Sequence, residues 1–260
     1  MNSQQLLVAG GSNALKAIDA ITLAGLTTNL VLCLDAGDAN SYTSGTKWLD
    51  VSGGGYDFNF TGTPAFTGSV GSLAAYFDLD GVGDLFTYDT TNEVWMNSIH
   101  KDSAVYTMIA FSLSTASARS LAGTSADDAS SIGFAFRELT NDRVRLRILD
   151  ASGVSAFEQT AVSPAIGTDG AWNMLGLSVN EAGGAVSFFN ANGSSDTAFD
   201  AAYTTPSASD ATYTMQVGAA GNSVQPFEGR IAIVMMWSGT ALTSANMATL
   251  FSLLRGRFGI

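Results

Sequence analysis

Cysteine, histidine and charge are all scarce in this chain of 260 residues. The single cysteine, Cys33, excludes an intrachain disulfide, so the fold needs no oxidising compartment. It lies in an apolar run at 30–34 and reads as a small core residue. The single histidine, His100, excludes a histidine-rich metal site and leaves no Ser-His-Asp triad to assemble. Beside Lys101 and Asp102 it reads as a surface loop residue. Charged residues make up 13%, about half the usual share, so solubility rests on Ser, Thr, Asn and Gly. Basic residues are outnumbered 11 to 23, and the net charge of −12 disfavours nucleic acid, whose phosphates would be repelled. Proline occurs four times and forms no linker between two cores, so one domain with an N-terminal arm is the economical reading. The N-terminus lacks the basic and long apolar regions of a secretory signal, so synthesis in the cytoplasm without a signal peptide is expected. Residues 231–254 are uncharged, but loop residues from Ser238 to Asn246 divide them, which predicts strand, turn and helix rather than a membrane span.

Apolar content is ample for a packed core, at 46% with 10% aromatics. After residue 29, short runs rich in Val, Ile, Phe, Tyr and Thr recur between Gly, Asn, Asp and Ser clusters, the pattern of an all-β sandwich or barrel. Strands are predicted near 30–34, 73–78, 85–88, 104–113, 132–138, 143–149, 172–179, 185–190, 213–218 and 230–237. "SIGFAFRELTNDRVRLRILD" and "WNMLGLSVNEAGGAVSFFNANG" each read as a hairpin. The second ends in Asn192-Gly193, a dipeptide suited to a tight turn with positive φ. A short helix is predicted at 13–23. A clearer one follows Thr243 or Ser244, with Met247, Leu250, Phe251 and Leu254 on one face and Arg255 and Arg257 placed to complement its dipole.

Four blocks, in order over residues 29–260, resemble the concanavalin A-like lectin/glucanase superfamily and its laminin-G-like members. They are "LDAGDANSY" with "GTKWLDVSGGGYDFNF", "GSLAAYFDLDGVGDLFTY", "DGAWNMLGLSVNEAGGAVSFFNANG", and the segment from "MQVGAAG" to "LFSLLRGRFGI". In the last block Phe227, Gly229 and Ile231 open a strand, and Ala241-Leu242-Thr243 opens the terminal helix. The resemblance implies an antiparallel jelly-roll sandwich over 29–260, with residues 1–28 as an arm that docks on a neighbour and a C-terminal helix. The first and last blocks also look like laminin-G-like domains of bacteriophage structural proteins. That likeness implies a non-enzymatic virion component such as a head decoration, fibre or tail protein, in contact with itself and other virion proteins. The alternative is a carbohydrate-binding module; a glycoside hydrolase ranks last. The superfamily's Glu-x-Asp-x-Glu strand is absent, and paired carboxylates on one strand are what such a hydrolase needs.

No catalytic residue and no resident cofactor are expected. Asp78, Asp80 and Asp84 have a faintly calcium-like spacing, set against a turn in which aspartates bond backbone amides. Arg143, Arg145 and Arg147 alternate with Val144, Leu146 and Ile148, which puts three guanidinium groups on one strand face, with Arg137 across the hairpin. That face is either solvated and paired with local acids or a contact with another subunit or virion protein. Trp172 and Trp237 fall in strands and are expected in the core. Trp48 and Trp95 flank loops and are the candidates for stacking on a sugar ring, including one on a host surface.

Overall fold

The run "IAIVMMW" (231–237) is apolar at every position because it belongs to a strand covered on both faces. The computed structural model describes residues 14–88, 93–115, 119–126, 130–139, 143–150, 155–160, 170–181, 186–200 and 202–260. In chain order the elements begin with α1 (Ala17–Leu23), β1 (Leu30–Asp35), β2 (Lys47–Trp48), β3 (Phe58–Thr61), β4 (Ala65–Thr67), β5 (Tyr76–Asp80) and β6 (Leu85–Tyr88). Then come α2 (Val94–Ser98), β7 (Val105–Ser114), β8 (Ser120–Gly123), β9 (Gly133–Glu138), β10 (Val144–Leu149), β11 (Ser155–Thr160) and β12 (Asn173–Asn180). β13 (Val186–Ala191), β14 (Ser194–Asp200), β15 (Gln216–Val217), β16 (Glu228–Ser238) and α3 (Ser244–Leu254) complete the chain.

Two antiparallel sheets form the expected jelly-roll sandwich. The first runs β14-β13-β12-β7-β16-β5-β4, and β1 also pairs with β16. The second runs β11-β10-β9-β8-β15-β6-β3-β2. One side of β16 is shared: its residues 228–231 pair with β5 and its residues 233–237 pair with β1. A register shift between Ile231 and Ile233 lets Ile231, Val234 and Met236 face the sandwich interior while Ile233, Met235 and Trp237 face outward.

Those outward residues are not exposed. With Cys33, Ile109, Phe111 and Met174 they form a second core under Ala17, Ala20 and Ile21 of α1 and Met247, Leu250 and Leu254 of α3. The described part of the N-terminal arm thus packs against its own chain, while residues 1–13 lie outside the described residues. The helix in the arm starts four residues later than predicted, at Ala17, whose N–H is capped by the Asp35 carboxylate at 2.8 Å.

Local sequence accounts for the two clearest joints. Ala191 pairs with Ser194 across Asn192 (φ 50°) and Gly193 (φ 77°), the two-residue hairpin turn that Asn-Gly favours. α3 is capped by Thr243, whose side chain accepts from Asn246 N at 3.2 Å while Asn246 Oδ1 accepts from Thr243 N at 3.1 Å. At the other end of α3, Arg257, read from the sequence as a complement to the helix dipole, also makes an ion pair. It is buried, and its guanidinium grips Asp35 at 2.8 and 2.6 Å. Among the described residues no helix is long and apolar enough to cross a membrane.

Candidate functional site

The acidic loop after β1 holds the fold together. Asp35 binds Arg257 and accepts the backbone N–H groups of Ala17 and Gly37. Asp38 is buried, accepts Asn40 N and pairs with Lys16 at 2.9 Å. Asp50 accepts the N–H groups of Cys33, Ser52 and Tyr56. Carboxylates committed in this way to backbone amides build turns.

Of the calcium candidates, Asp80 and Asp84 also accept backbone amides, and Asp78 faces an arginine. Asp80 Oδ1 accepts the N–H groups of Val82, Gly83 and Asp84, and these bonds hold its carboxyl below the usual aspartate pKa. Asp84 Oδ1 accepts Thr63 N at 2.6 Å, and Asp78 faces Arg230 at 3.5 Å. The three carboxylates have separate partners, and no group of three or more metal-ligating side chains converges among the described residues.

The arginine strip lies where the alternation puts it. Val144, Leu146 and Ile148 are buried, and Arg145 stands directly opposite Arg137. Glu158 on the neighbouring strand takes Arg145 Nη1 at 3.0 Å and Arg147 Nε at 3.2 Å, so a local acid serves both. Arg143 sits half-buried just before β10.

The tryptophan expectation is corrected. Trp48 is fully buried, with Phe77 and Phe86 at centroid distances of 4.9 and 4.8 Å, and Trp95 is 7% exposed beneath Tyr56. Neither indole offers a face to a sugar. Both adjoin loop residues in sequence, yet Trp48 points into the sandwich from the edge strand β2 and Trp95 from the short helix α2. His100 is likewise buried, not a surface residue. Its Nε2–H donates to the Ser209 carbonyl at 2.9 Å, which leaves Nδ1 unprotonated, buried and without a hydrogen-bond partner.

A cleft that the sequence did not single out opens beside His100. Ser98 ends α2, residues 101–104 lead into β7 at Val105, and Ser238 and Gly239 close β16; together with Val94 they line an open cleft of about 390 Å³. The β7–β16 pairing builds it, because Ser238 stands opposite Tyr106 and Gly239 N–H donates to the Val105 carbonyl at 2.7 Å. Ser103 takes a left-handed backbone (φ 61°), with its N–H donated to the Glu181 carboxylate.

The floor is fixed from behind by the 203–211 segment. Asn97 Oδ1 accepts Ala211 N at 2.9 Å, Lys101 Nζ meets Asp210 at 3.0 Å, and Tyr203 OH donates to the Ile99 carbonyl at 3.2 Å. Since Tyr203 spends its one proton on Ile99, Tyr106 OH donates to Tyr203, 3.0 Å away, and burial raises the pKa of both phenols. The cleft thus presents three serine side chains, one ammonium, one carboxylate and backbone polar groups around the apolar Val94, which is 86% exposed. This chemistry suits hydrogen bonding to a polyhydroxylated ligand. His100 is not among the lining residues, so no serine there has an imidazole base.

No protein-family model matches the chain, and no curated protein matches it. Solved structures do. The binding domain of botulinum neurotoxin DC in complex with SialylT is 12% identical, with a TM-score of 0.62 over 88% of this chain and 52% of that one. Domain 4 of AbnA, a GH43 extracellular arabinanase from Geobacillus stearothermophilus, in complex with arabinotriose, is 17% identical, with a TM-score of 0.57 over 85% of this chain and 98% of that domain. The CBM40 of the Ruminococcus gnavus IT-sialidase bound to α2,3 sialyllactose is 14% identical, with a TM-score of 0.51 over 68% of this chain and 96% of that one. The chain spans about half the length of the neurotoxin binding domains it matches. At these identities the likeness is one of fold, and the fold is the β-sandwich of these binding domains.

Proposed function

We propose that this protein is a non-catalytic carbohydrate-binding module that takes a glycan at the cleft between α2, β7 and β16. The observation that carries this reading is the likeness to domain 4 of AbnA, solved with arabinotriose, because nearly all of that domain is matched by most of this chain. The hydroxyl and backbone lining of the cleft supports it. Fold alone hosts many functions, so the reading stands on the site as well. The virion reading rests on sequence resemblance alone, and the binding reading replaces it here.

None of the nine lining residues is aromatic, so affinity rests on hydrogen bonds and the Val94 contact. A dissociation constant on the order of 1 mM, about −4 kcal/mol, is expected. Screening on a glycan array followed by calorimetry tests the reading. Binding should be weakened roughly tenfold by Asp102→Ala, the loss of one charge-assisted hydrogen bond, and incubation should release no sugar. An empty array, or binding indifferent to Asp102, would overturn it.

A further inference from the structure

We infer that the cleft between α2, β7 and β16 selects neutral saccharides and turns away those that carry carboxylates. This rests on the glycan-binding reading above. The argument is electrostatic. Among the described residues Lys101 is the one cation that lines the cleft, and it is engaged by Asp210, whose side chain is 76% exposed. Asp102 lines the cleft directly, and Glu181 holds the N–H of the lining residue Ser103. Three carboxylates, those of Asp102, Asp210 and Glu181, therefore line the cleft or bond to its lining residues, against one ammonium. His100 adds no charge, since its Nε2–H is spent on Ser209 and its Nδ1 is buried.

The wider field has the same sign, because the chain carries a net charge of −12. The cations of the arginine strip lie on the second sheet, whereas the strands that build the cleft belong to the first. A ligand carboxylate entering the cleft meets like charges within about one Debye length (~8 Å at physiological salt) and finds no free guanidinium fork to offset them. Sugar hydroxyls meet no such penalty: they donate to Asp102 and to backbone carbonyls and accept from serine hydroxyls. Selectivity comes here from a repulsive element as much as from an attractive one.

The test is a paired array. Neutral arabinotriose, galactotriose, cellotriose and lactose are set against trigalacturonate, cellotriuronate and sialyllactose, followed by calorimetry on the hits. Hits confined to the neutral members, with any acidic counterpart roughly tenfold weaker or more at low salt, are expected. The discrimination should narrow in 0.5 M salt (a Debye length of roughly 4 Å) and in Asp102→Asn. A purely steric rejection would respond to neither. Equal binding of both members, preference for the acidic ones, or discrimination unchanged by salt and by Asp102→Asn would overturn the inference and leave the glycan reading standing. An array with no hits would overturn both.

Discussion

His100 is the chain's one histidine, so its titration can be followed without interference from another. Burial lowers its pKa, and the neighbouring Lys101 adds to the effect against the opposing pull of the Ser209 carbonyl and Asp210. The sign follows directly. Below the ordinary histidine value of about 6.5, the unfolded chain takes up a proton that the folded chain resists. Stability is then complete above that pH, falls as pH drops through it, and stops falling once the folded pKa is passed. Urea midpoints should fall between pH 7.5 and 5.5, and His100→Gln, which keeps an N–H for Ser209 but cannot protonate, should flatten that slope. A slope unchanged by the substitution would assign it to other groups. Little of this was legible beforehand: beside Lys101 and Asp102, a histidine looks solvated, and only the 203–211 segment folding over it makes it a core residue.

At the scale of elements, the β13–β14 turn offers the sharpest test. Gly193 has φ 77°, and a Cβ there would lie 2.9 Å from Phe251 Cδ1 of α3. Gly193→Ala should cost roughly 1–2 kcal/mol, from both left-handed strain and collision, measured by urea unfolding. Gly45→Ala, with φ 94° and open space around it, carries the strain without the collision and should cost less. This turn was readable because Asn-Gly encodes its own backbone geometry. The strands with sustained apolar patterns, β7, β9, β10, β12, β13 and β16, were readable for a similar reason. β2 and β4 contain two and three residues, too few to show a period, and β14 reads SSDTAFD, whose polar start resembles a loop. β2 and β4 exist because longer neighbours, β3 and β5, present open edges. The cleft was invisible for a related reason: its lining comes from 94–105 and 238–239, which only the β7–β16 pairing brings together.

For the molecule as a whole, Asp35 and Arg257 are decisive. Both side chains are wholly buried, and Arg257 also donates to the carbonyls of Leu15 and Leu73, so one guanidinium joins the arm, β1, the segment before β5 and the chain's last turn. Arg257→Met should cost about 3–5 kcal/mol in urea unfolding, because it strands Asp35 as an uncompensated buried charge. Adding Asp35→Leu should recover part of that loss, limited by the N–H groups of Ala17 and Gly37 that would then lack an acceptor. If Arg257→Met unfolds like the parent, the pair is not the clasp described here. An arginine after a helix invites the dipole reading; its burial depends on Asp35, 222 residues away, a coupling that no local pattern encodes.

The placement of β16 has a consequence for synthesis. It is the strand that β1, β5 and β7 all pair with, yet it occupies residues 228–238 of the chain. A growing chain on the ribosome must therefore carry those three strands, with Leu32, Phe77 and Phe111 among them, before the partner they share has been made. The first sheet cannot close, nor α1 find its full seat, until residues 228–238 have been made. The protein should consequently fold late and nearly all at once, and its nascent chain should be the form most dependent on chaperones.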